Sequence, residues 1–284
     1  MLETRRNILK ILGLSLILPF NYNAIAQVGG NSGYLKLVNK ARQSGWLGLP
    51  FPELMKKIAL EFLDVPYVGG TLDKSEQESC TVLLDQLDCV TYFETVLAIS
   101  KCLSMNKYDF EDVFAFVQKT RYRGGIITDY TSRLHYTADW IYENVKNKIV
   151  KDITKDLGGE KINFNVGFMS TNPEKYKQLN ANPDYIPVIN LQEKEINKRD
   201  YFYIPKDKLG TKIKGIRTCD IIAITTSING LDYSHTGFAY VEENGDTRFL
   251  HASSAKKKVV LDTYLSDYLN GKKKDTGITV LRPL

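Results

Sequence analysis

Leu87-Asp88-Cys89-Val90-Thr91-Tyr92-Phe93-Glu94-Thr95-Val96-Leu97-Ala98-Ile99-Ser100 puts a thiol at the point where an apolar helix begins. Asp88 fits an N-cap, and the run after it predicts a helix from 89 to about 103. The first N–H groups of a helix lack partners within it, and the peptide dipoles face the same end, so a sulfur placed there is favoured as thiolate. Two of the three histidines, His235 and His251, lie far downstream in strand-like sequence. One histidine beside the sulfur could take its proton, and a second polar group could orient that histidine. Nucleophilic thiol catalysis is therefore the leading expectation. The competing reading is that Cys89 is a small buried hydrophobe, as free cysteines commonly are.

The segment carrying the histidines reads as a hairpin, and its register decides whether they can meet. A two-residue Asn244-Gly245 turn would pair Glu243 with Asp246 and send the two side chains to opposite faces. A three-residue Glu243-Asn244-Gly245 loop, with Gly245 left-handed, pairs Glu242 with Asp246 instead. His235 then faces Ser253 and His251 faces Gly237 on one surface, as diagonal neighbours roughly 7–8 Å apart. Shared chemistry requires this second register or an equivalent bulge, and Gly237 leaves space beside the imidazoles.

Outward from these segments, 33–44 and 52–63 have helical periodicity. Leu54, Ile58, Ala59 and Phe62 give the second an apolar face. Val65-Pro66-Tyr67-Val68-Gly69-Gly70 stops it. Residues 80–84 read as a short strand, and 110–118 and 134–150 as helices, the last with Arg133, His135, Tyr136, Asp139 and Trp140 near its start. Packing is the favoured reading for His135, Tyr136 and Trp140. Beyond about 160 the texture becomes β-rich, with strands expected at 162–169, 186–190, 213–216, 221–225, 236–241, 248–252, 258–261 and 277–281. A helical lobe (about 31–155) and a β-rich lobe (about 160–284) of one α+β domain, 27–284, follow.

The first 26 residues read as an export signal. Arg5 and Arg6 precede the apolar run from Ile11 to Phe20, and Ala24-Ile25-Ala26 offers a cleavage site. The run is short for a membrane span, and Thr4-Arg5-Arg6-Asn7-Ile8-Leu9-Lys10 resembles a twin-arginine signal. The expected location is periplasmic or extracellular, without a stable span after signal removal. A chain of 284 residues, 43% hydrophobic, is long enough for ample core. Its net charge of +5 suits an anionic envelope or acidic substrate but not a nucleic-acid partner. The Lys-Lys-Lys runs at 256–258 and 272–274 read as solvated surface. Four cysteines allow disulfides, with small core residues or one bridge expected for Cys80, Cys102 and Cys219. No ligand spacing suggests zinc, so no metal or cofactor is expected. No protein partner is inferable.

Pro66-Tyr67-Val68-Gly69-Gly70, Leu87 to Glu94, Cys219-Asp220-Ile221-Ile222-Ala223-Ile224, Ser234-His235-Thr236-Gly237-Phe238 and Phe249-Leu250-His251-Ala252-Ser253 occur in the order seen in the NlpC-type, papain-like cell-wall hydrolases. The longer Cys89 motif and Arg133-Leu134-His135-Tyr136 look more like that superfamily's N-acetylmuramoyl-L-alanine amidase branch. The likeness runs from about residue 50 to the C-terminus. It implies a papain-like fold, a helical lobe carrying the cysteine packed on an antiparallel sheet or barrel carrying the histidines. It implies Cys89 as nucleophile, His235 as base and then acid, and His251 as the orienting third member. Tyr67, Asp88 and Ser234 would line the substrate cleft, and Arg133 would meet a carboxylate of the peptide stem. The implied reaction is hydrolysis of the amide between N-acetylmuramic acid and L-alanine in peptidoglycan or muropeptides. The rivals are cleavage between γ-D-glutamate and a diamino acid, and a non-catalytic envelope-binding module.

Overall fold

The computed structural model describes residues 28–284, with side chains from 31 onward. The expected export signal at 1–26 lies outside the described residues. Helices α1 (Val28–Gln43) and α2 (Phe51–Glu61) lead to α3 (Cys89–Ser104), α4 (Phe110–Arg121) and α5 (Thr137–Lys146). Strands β1 (Val150–Asp152) and β2 (Glu160–Ile162) follow, then helices α6 (Phe168–Thr171), α7 (Lys177–Ala181) and α8 (Tyr185–Ile196). The rest is β3 (Tyr201–Pro205), β4 (Ile221–Thr226), β5 (Tyr233–Val241), β6 (Thr247–Ser253), β7 (Lys258–Tyr264), α9 (Leu265–Asn270) and β8 (Asp275–Pro283).

The strands form one antiparallel sheet in the order β2-β3-β8-β4-β5-β6-β7, with β1 pairing to the far end of β8. Its two faces alternate by residue, as the pleat requires. Ile221, Ala223, Phe238, Leu250 and Ala252 pack with the helices, whereas Ile222, Ile224, Ala239, Phe249, Ile278 and Val280 build a second core with Leu265 and Leu269 of α9. Helix α3 is buried on every side from Thr91 to Ser100 and is largely apolar there, with Glu94 the one charged side chain in that stretch. The Tyr92 ring meets Phe238 edge-on at 5.5 Å, and its hydroxyl donates to the Ala59 carbonyl at 3.0 Å, tying α3 to both β5 and α2.

The start of α3 is fixed by a reciprocal cap. Asp88 Oδ1 accepts from the N–H groups of Val90 (3.0 Å) and Thr91 (2.8 Å), while Thr91 Oγ1 accepts from the Asp88 N–H at 2.8 Å. The hairpin adopts the three-residue loop: Val241 pairs with Thr247, the Glu242 N–H bonds the Asp246 carbonyl, and Gly245 has φ +87°. Glycine takes that left-handed backbone without the Cβ penalty.

Several expected elements differ. Residues 80–84 form no strand; the segment is held by side chains instead, with Arg121 Nη1 donating to the Thr81 carbonyl and Tyr122 Oη to that of Ser79. The apolar run 186–190 is helical, because the pattern of buried Ile189, Glu193 and Ile196 continues past it at helical spacing. The helix expected over 134–150 is confined to α5, and Val150 begins a strand. Residues 162–169 end a short strand and start α6, and 213–216 form a turn. The expected β-rich half thus contains three helices, α6 to α8, and it also holds β3 and α9, which the pattern did not reveal. All four cysteines are free, with Cys80, Cys102 and Cys219 buried as small apolar groups. No helix among the described residues is long and apolar enough to cross a membrane.

Candidate active site

Cys89 is the first residue of α3, half-buried, at a point where helix geometry leaves its backbone N–H without an intrahelical acceptor. It lines a cavity of about 260 Å³ together with His235, Arg133, His135, Asp73 and Asp232. A register shift between β4 and β5 places Ile224 opposite His235 but Thr225 opposite Tyr233, so Ser234 bulges just before the histidine. Such a bulge re-aims the side chain that follows it.

His235 and His251 point from one face of the hairpin and touch: His235 Nε2 and His251 Nδ1 are 2.6 Å apart. His251 is fully buried behind His235, stacked on Phe249 with ring centroids 4.4 Å apart and planes 16° from parallel. Its Nε2 lies 3.2 Å from Asp262 Oδ2. Since Nε2 of His235 is taken by His251, Nδ1 is the nitrogen left for chemistry. The link to Cys89 runs through the next residue, Thr236, whose hydroxyl donates to the Cys89 carbonyl at 3.0 Å. Among the described residues no hydrogen bond joins Cys89 Sγ directly to the imidazole in this resting arrangement.

The charge state differs from the expectation drawn from the helix dipole. Burial, with the Asp88 carboxylate adding to it, pushes the Cys89 thiol up to about 12, against opposing hydrogen bonds from Thr236 and the Val90 backbone. Burial, then the neighbouring His251 and Lys272, pulls His235 down to about 3. His251 falls to about 4 because burial outweighs its Asp262 partner. Desolvation disfavours whichever form is charged, so the resting pair is neutral thiol and neutral imidazole.

The four residues expected to line the cleft divide evenly. Arg133 and Ser234 line the cavity. Arg133 is also paired, Nη2 lying 2.6 Å from Asp73 and 3.2 Å from Glu78, and Ser234 Oγ donates to Asp275 at 2.8 Å. Tyr67 and Asp88 lie outside the cavity lining. The Tyr67 backbone N–H is tied to the Lys257 carbonyl, and burial with nearby Cys89 lifts its phenol to about 12. Asp88 Oδ1 is spent on the helix cap. His135 is a cavity residue as well as a packed one: its Nε2–H donates to the Tyr130 carbonyl at 2.7 Å and its ring lies against Tyr130. Asp262 was missed. Its signal was register, because Val260 pairs with His251, and the residue two further along β7 returns to the same face. No group of metal-ligating side chains occurs among the described residues.

The model of the AmiA-like family, described as N-acetylmuramoyl-L-alanine amidase-like, matches residues 57–278. The chain belongs to that family. It is also similar to a solved N-acetylmuramoyl-L-alanine amidase from Bacteroides uniformis, at 37% identity and a TM-score of 0.79, covering 82% of this chain and 99% of that one. A Bacteroides fragilis structure carrying a provisional xylanase name is 39% identical, with a TM-score of 0.76 over 80% of this chain and 99% of that chain. A Legionella pneumophila structure, 23% identical with a TM-score of 0.68, shares the fold over 89% of this chain and 94% of its own. A comparison with curated proteins finds no match. Membership of the AmiA-like family supports a hydrolase of the peptidoglycan amidase class.

Proposed function

We propose that the protein is a cysteine amidase that hydrolyses the bond between N-acetylmuramic acid and L-alanine in peptidoglycan or its fragments. The observation that carries this reading is the 2.6 Å contact between His235 and His251 at a cavity whose wall includes a helix-starting cysteine. A helix with cysteine at its N-terminus, packed on an antiparallel sheet with the histidines on successive strands, also supports the NlpC-type, papain-like reading.

In the proposed reaction Cys89 Sγ attacks the lactyl carbonyl carbon as its proton passes to His235 Nδ1. The Cys89 N–H faces the developing oxyanion; losing a donor of this kind typically costs about a hundred- to a thousandfold in rate. His235 then gives the proton to the departing alanine nitrogen, leaving a thioester. Water attacks that thioester with His235 again accepting a proton, which releases the muramoyl carboxylate and restores the thiol. His251 orients the base through its contact with Nε2.

The cavity does not favour a xylanase reading. Retaining and inverting glycosidases need two carboxyl groups free to act on opposite sides of a sugar bond. Here Asp73 is paired with Arg133, and Asp232 accepts the N–H groups of Ala138 and Tyr233. Cleavage between γ-D-glutamate and a diamino acid would use the same three residues and a different substrate fit. The export signal read in residues 1–26 would place the work outside the cytoplasm.

Mass spectrometry of products from a defined disaccharide-tetrapeptide tests the proposal. Free disaccharide plus an alanine-led tetrapeptide is the expected result, and it should vanish in Cys89→Ala. Disaccharide still bearing L-Ala-D-Glu, with a dipeptide led by the diamino acid, would instead assign the rival bond, and wild-type turnover by Cys89→Ala would reject thiol catalysis.

A further inference from the structure

Only one hydrogen can lie between His235 Nε2 and His251 Nδ1, and where it belongs decides whether His235 can act as a base. If His235 Nε2 donates, its Nδ1 carries a lone pair and can accept the thiol proton. If His251 Nδ1 donates, His235 must be protonated on Nδ1 to remain neutral, and it has nothing with which to accept. The 2.6 Å contact is compatible with both states.

The next residue in the chain of contacts breaks the tie. Asp262 Oδ2 lies 3.2 Å from His251 Nε2, and an ionised carboxylate only accepts. Its other oxygen, Oδ1, takes Lys256 Nζ and the Thr263 N–H, each at 2.7 Å. Burial opposes ionisation of Asp262, but the hydrogen bonds from Lys256, Thr263 and His251 outweigh it and hold the carboxyl below its ordinary value. His251 itself cannot easily turn over. It is fully buried, stacked on Phe249, and its Cβ stands 2.7 Å from where a Cβ on Gly237 would be.

We propose that Asp262, anchored by Lys256, is a positioning residue of this site that selects the tautomers of both histidines and so leaves His235 Nδ1 free as the base. The inference rests on the amidase reading for its rate prediction. It gives Lys256, part of a lysine run that reads as plain solvated surface, a place three contacts behind the base. As His235 takes up the thiol proton, the hydrogen bond from Nε2 persists and the carboxylate stabilises the cation through the intervening ring. The function resembles that of the buried aspartate behind a catalytic histidine, moved one imidazole further back.

Asp262→Asn is the informative variant, because its outcome follows from the donors around it. Lys256 and the Thr263 N–H require an acceptor at the Oδ1 position, so the amide oxygen stays there and the NH2 group faces His251 Nε2. That donor forces His251 to carry its hydrogen on Nδ1, and His235 is driven into the non-basic tautomer. Nitrogen-15 NMR of the substrate-free, full-length protein should show both histidines as Nε2–H tautomers in the wild type and both as Nδ1–H in Asp262→Asn. Turnover should fall by up to about ten-thousandfold in kcat with KM little changed, the loss seen when a catalytic histidine is held in the wrong tautomer. Asp262→Ala, which removes the bias without reversing it, should show mixed tautomers and a smaller loss. Unchanged tautomers in Asp262→Asn, or a kcat within twofold of wild type, would overturn the proposal. Because the tautomers are read without substrate, a failure of the amidase assignment would leave that result standing.

Discussion

Replacing Gly237 with alanine asks whether the contact between the histidines depends on a missing methyl group. An ideal Cβ at that position would stand 2.7 Å from the His251 Cβ, 2.7 Å from Phe249 Cε2 and 2.8 Å from the Leu250 carbonyl oxygen. Ordinary contact begins at 3.4 Å, so each neighbour is 0.6–0.7 Å too close. None can yield alone: Phe249 and Leu250 are fully buried, and the Leu250 oxygen belongs to the β6 backbone. Relief has to come from the strands moving apart, which carries His251 away from His235. Overpacking of this kind typically costs about 1–3 kcal/mol in stability. Misplacing a catalytic group by about 1 Å can cost a hundredfold in rate, and the displacement here approaches that. Urea denaturation should therefore show a lowered midpoint with unchanged slope. Turnover of the disaccharide-tetrapeptide, measured where the variant is fully folded, should fall by more than about tenfold. An alanine variant with wild-type midpoint and wild-type turnover would refute the reasoning, because it would mean that the hairpin does not hold the histidines at this separation.

Two further outcomes follow from buried charge. Glu94 accepts from Arg121 Nε at 2.8 Å and from Trp140 Nε1 at 3.0 Å, with both charged side chains almost wholly buried. Glu94→Gln leaves the guanidinium without its counter-charge and should cost about 3–5 kcal/mol by urea unfolding; a loss below 1 kcal/mol would show that the pair contributes little. All three histidines sit below their ordinary 6.5, at about 3 for His135 and His235 and about 4 for His251, chiefly through burial. Between roughly pH 6.5 and 4 the unfolded chain binds protons that the folded chain refuses, so these groups make stability fall as pH falls through that window, each by up to about 1.4 kcal/mol per pH unit. Asp232, lifted to about 6 by burial, opposes them there. His135→Gln should reduce the slope of stability against pH between 6 and 5 by about one proton's worth, and an unchanged slope would contradict the assignment.

What was legible in the sequence was what local chemistry decides. Asp88 announces a helix start because its side chain bonds backbone N–H groups within three residues, a cap that Thr91 completes in the structure. Gly245 marks the turn, but a two-residue Asn244-Gly245 turn would use a positive φ there as well, so the sequence left the register open; the structure adopts the three-residue loop, the register that brings His235 to His251. The segments misread depend on partners far along the chain. Residues 186–190 are apolar enough for a strand, and only the continuation to Glu193, which accepts from the Tyr136 hydroxyl at 2.7 Å, makes them a helix. Residues 80–84 form no strand, and the segment around them is held by Arg121 on the Thr81 carbonyl and Tyr122 on that of Ser79, partners that nothing near 80 reveals. Asp262 was hidden for a similar reason, since its role exists only once β7 is in register with β6.

The thiol illustrates the same limit in energetic form. Helix position argues for a thiolate, yet the dipole effect is worth about 1 kcal/mol while withdrawal of the sulfur from water works against it more strongly. A neutral Cys89 and a neutral His235 lining one cavity are not an inert arrangement. The burial that suppresses each charge alone also strengthens their mutual attraction once a proton has crossed from one to the other, because the medium between them screens poorly. The cost of separating charge thus falls when sulfur and imidazole are brought into contact and a carbonyl is present to accept the electron pair. In the proposed mechanism, substrate binding would supply that condition by displacing water from the cavity and offering an oxygen to the Cys89 N–H. In the empty site the thiol stays protonated, the form that reacts slowly with alkylating and oxidising reagents. The proposed reactivity would in this way be conditional on a bound carbonyl rather than on the standing charge of the cysteine.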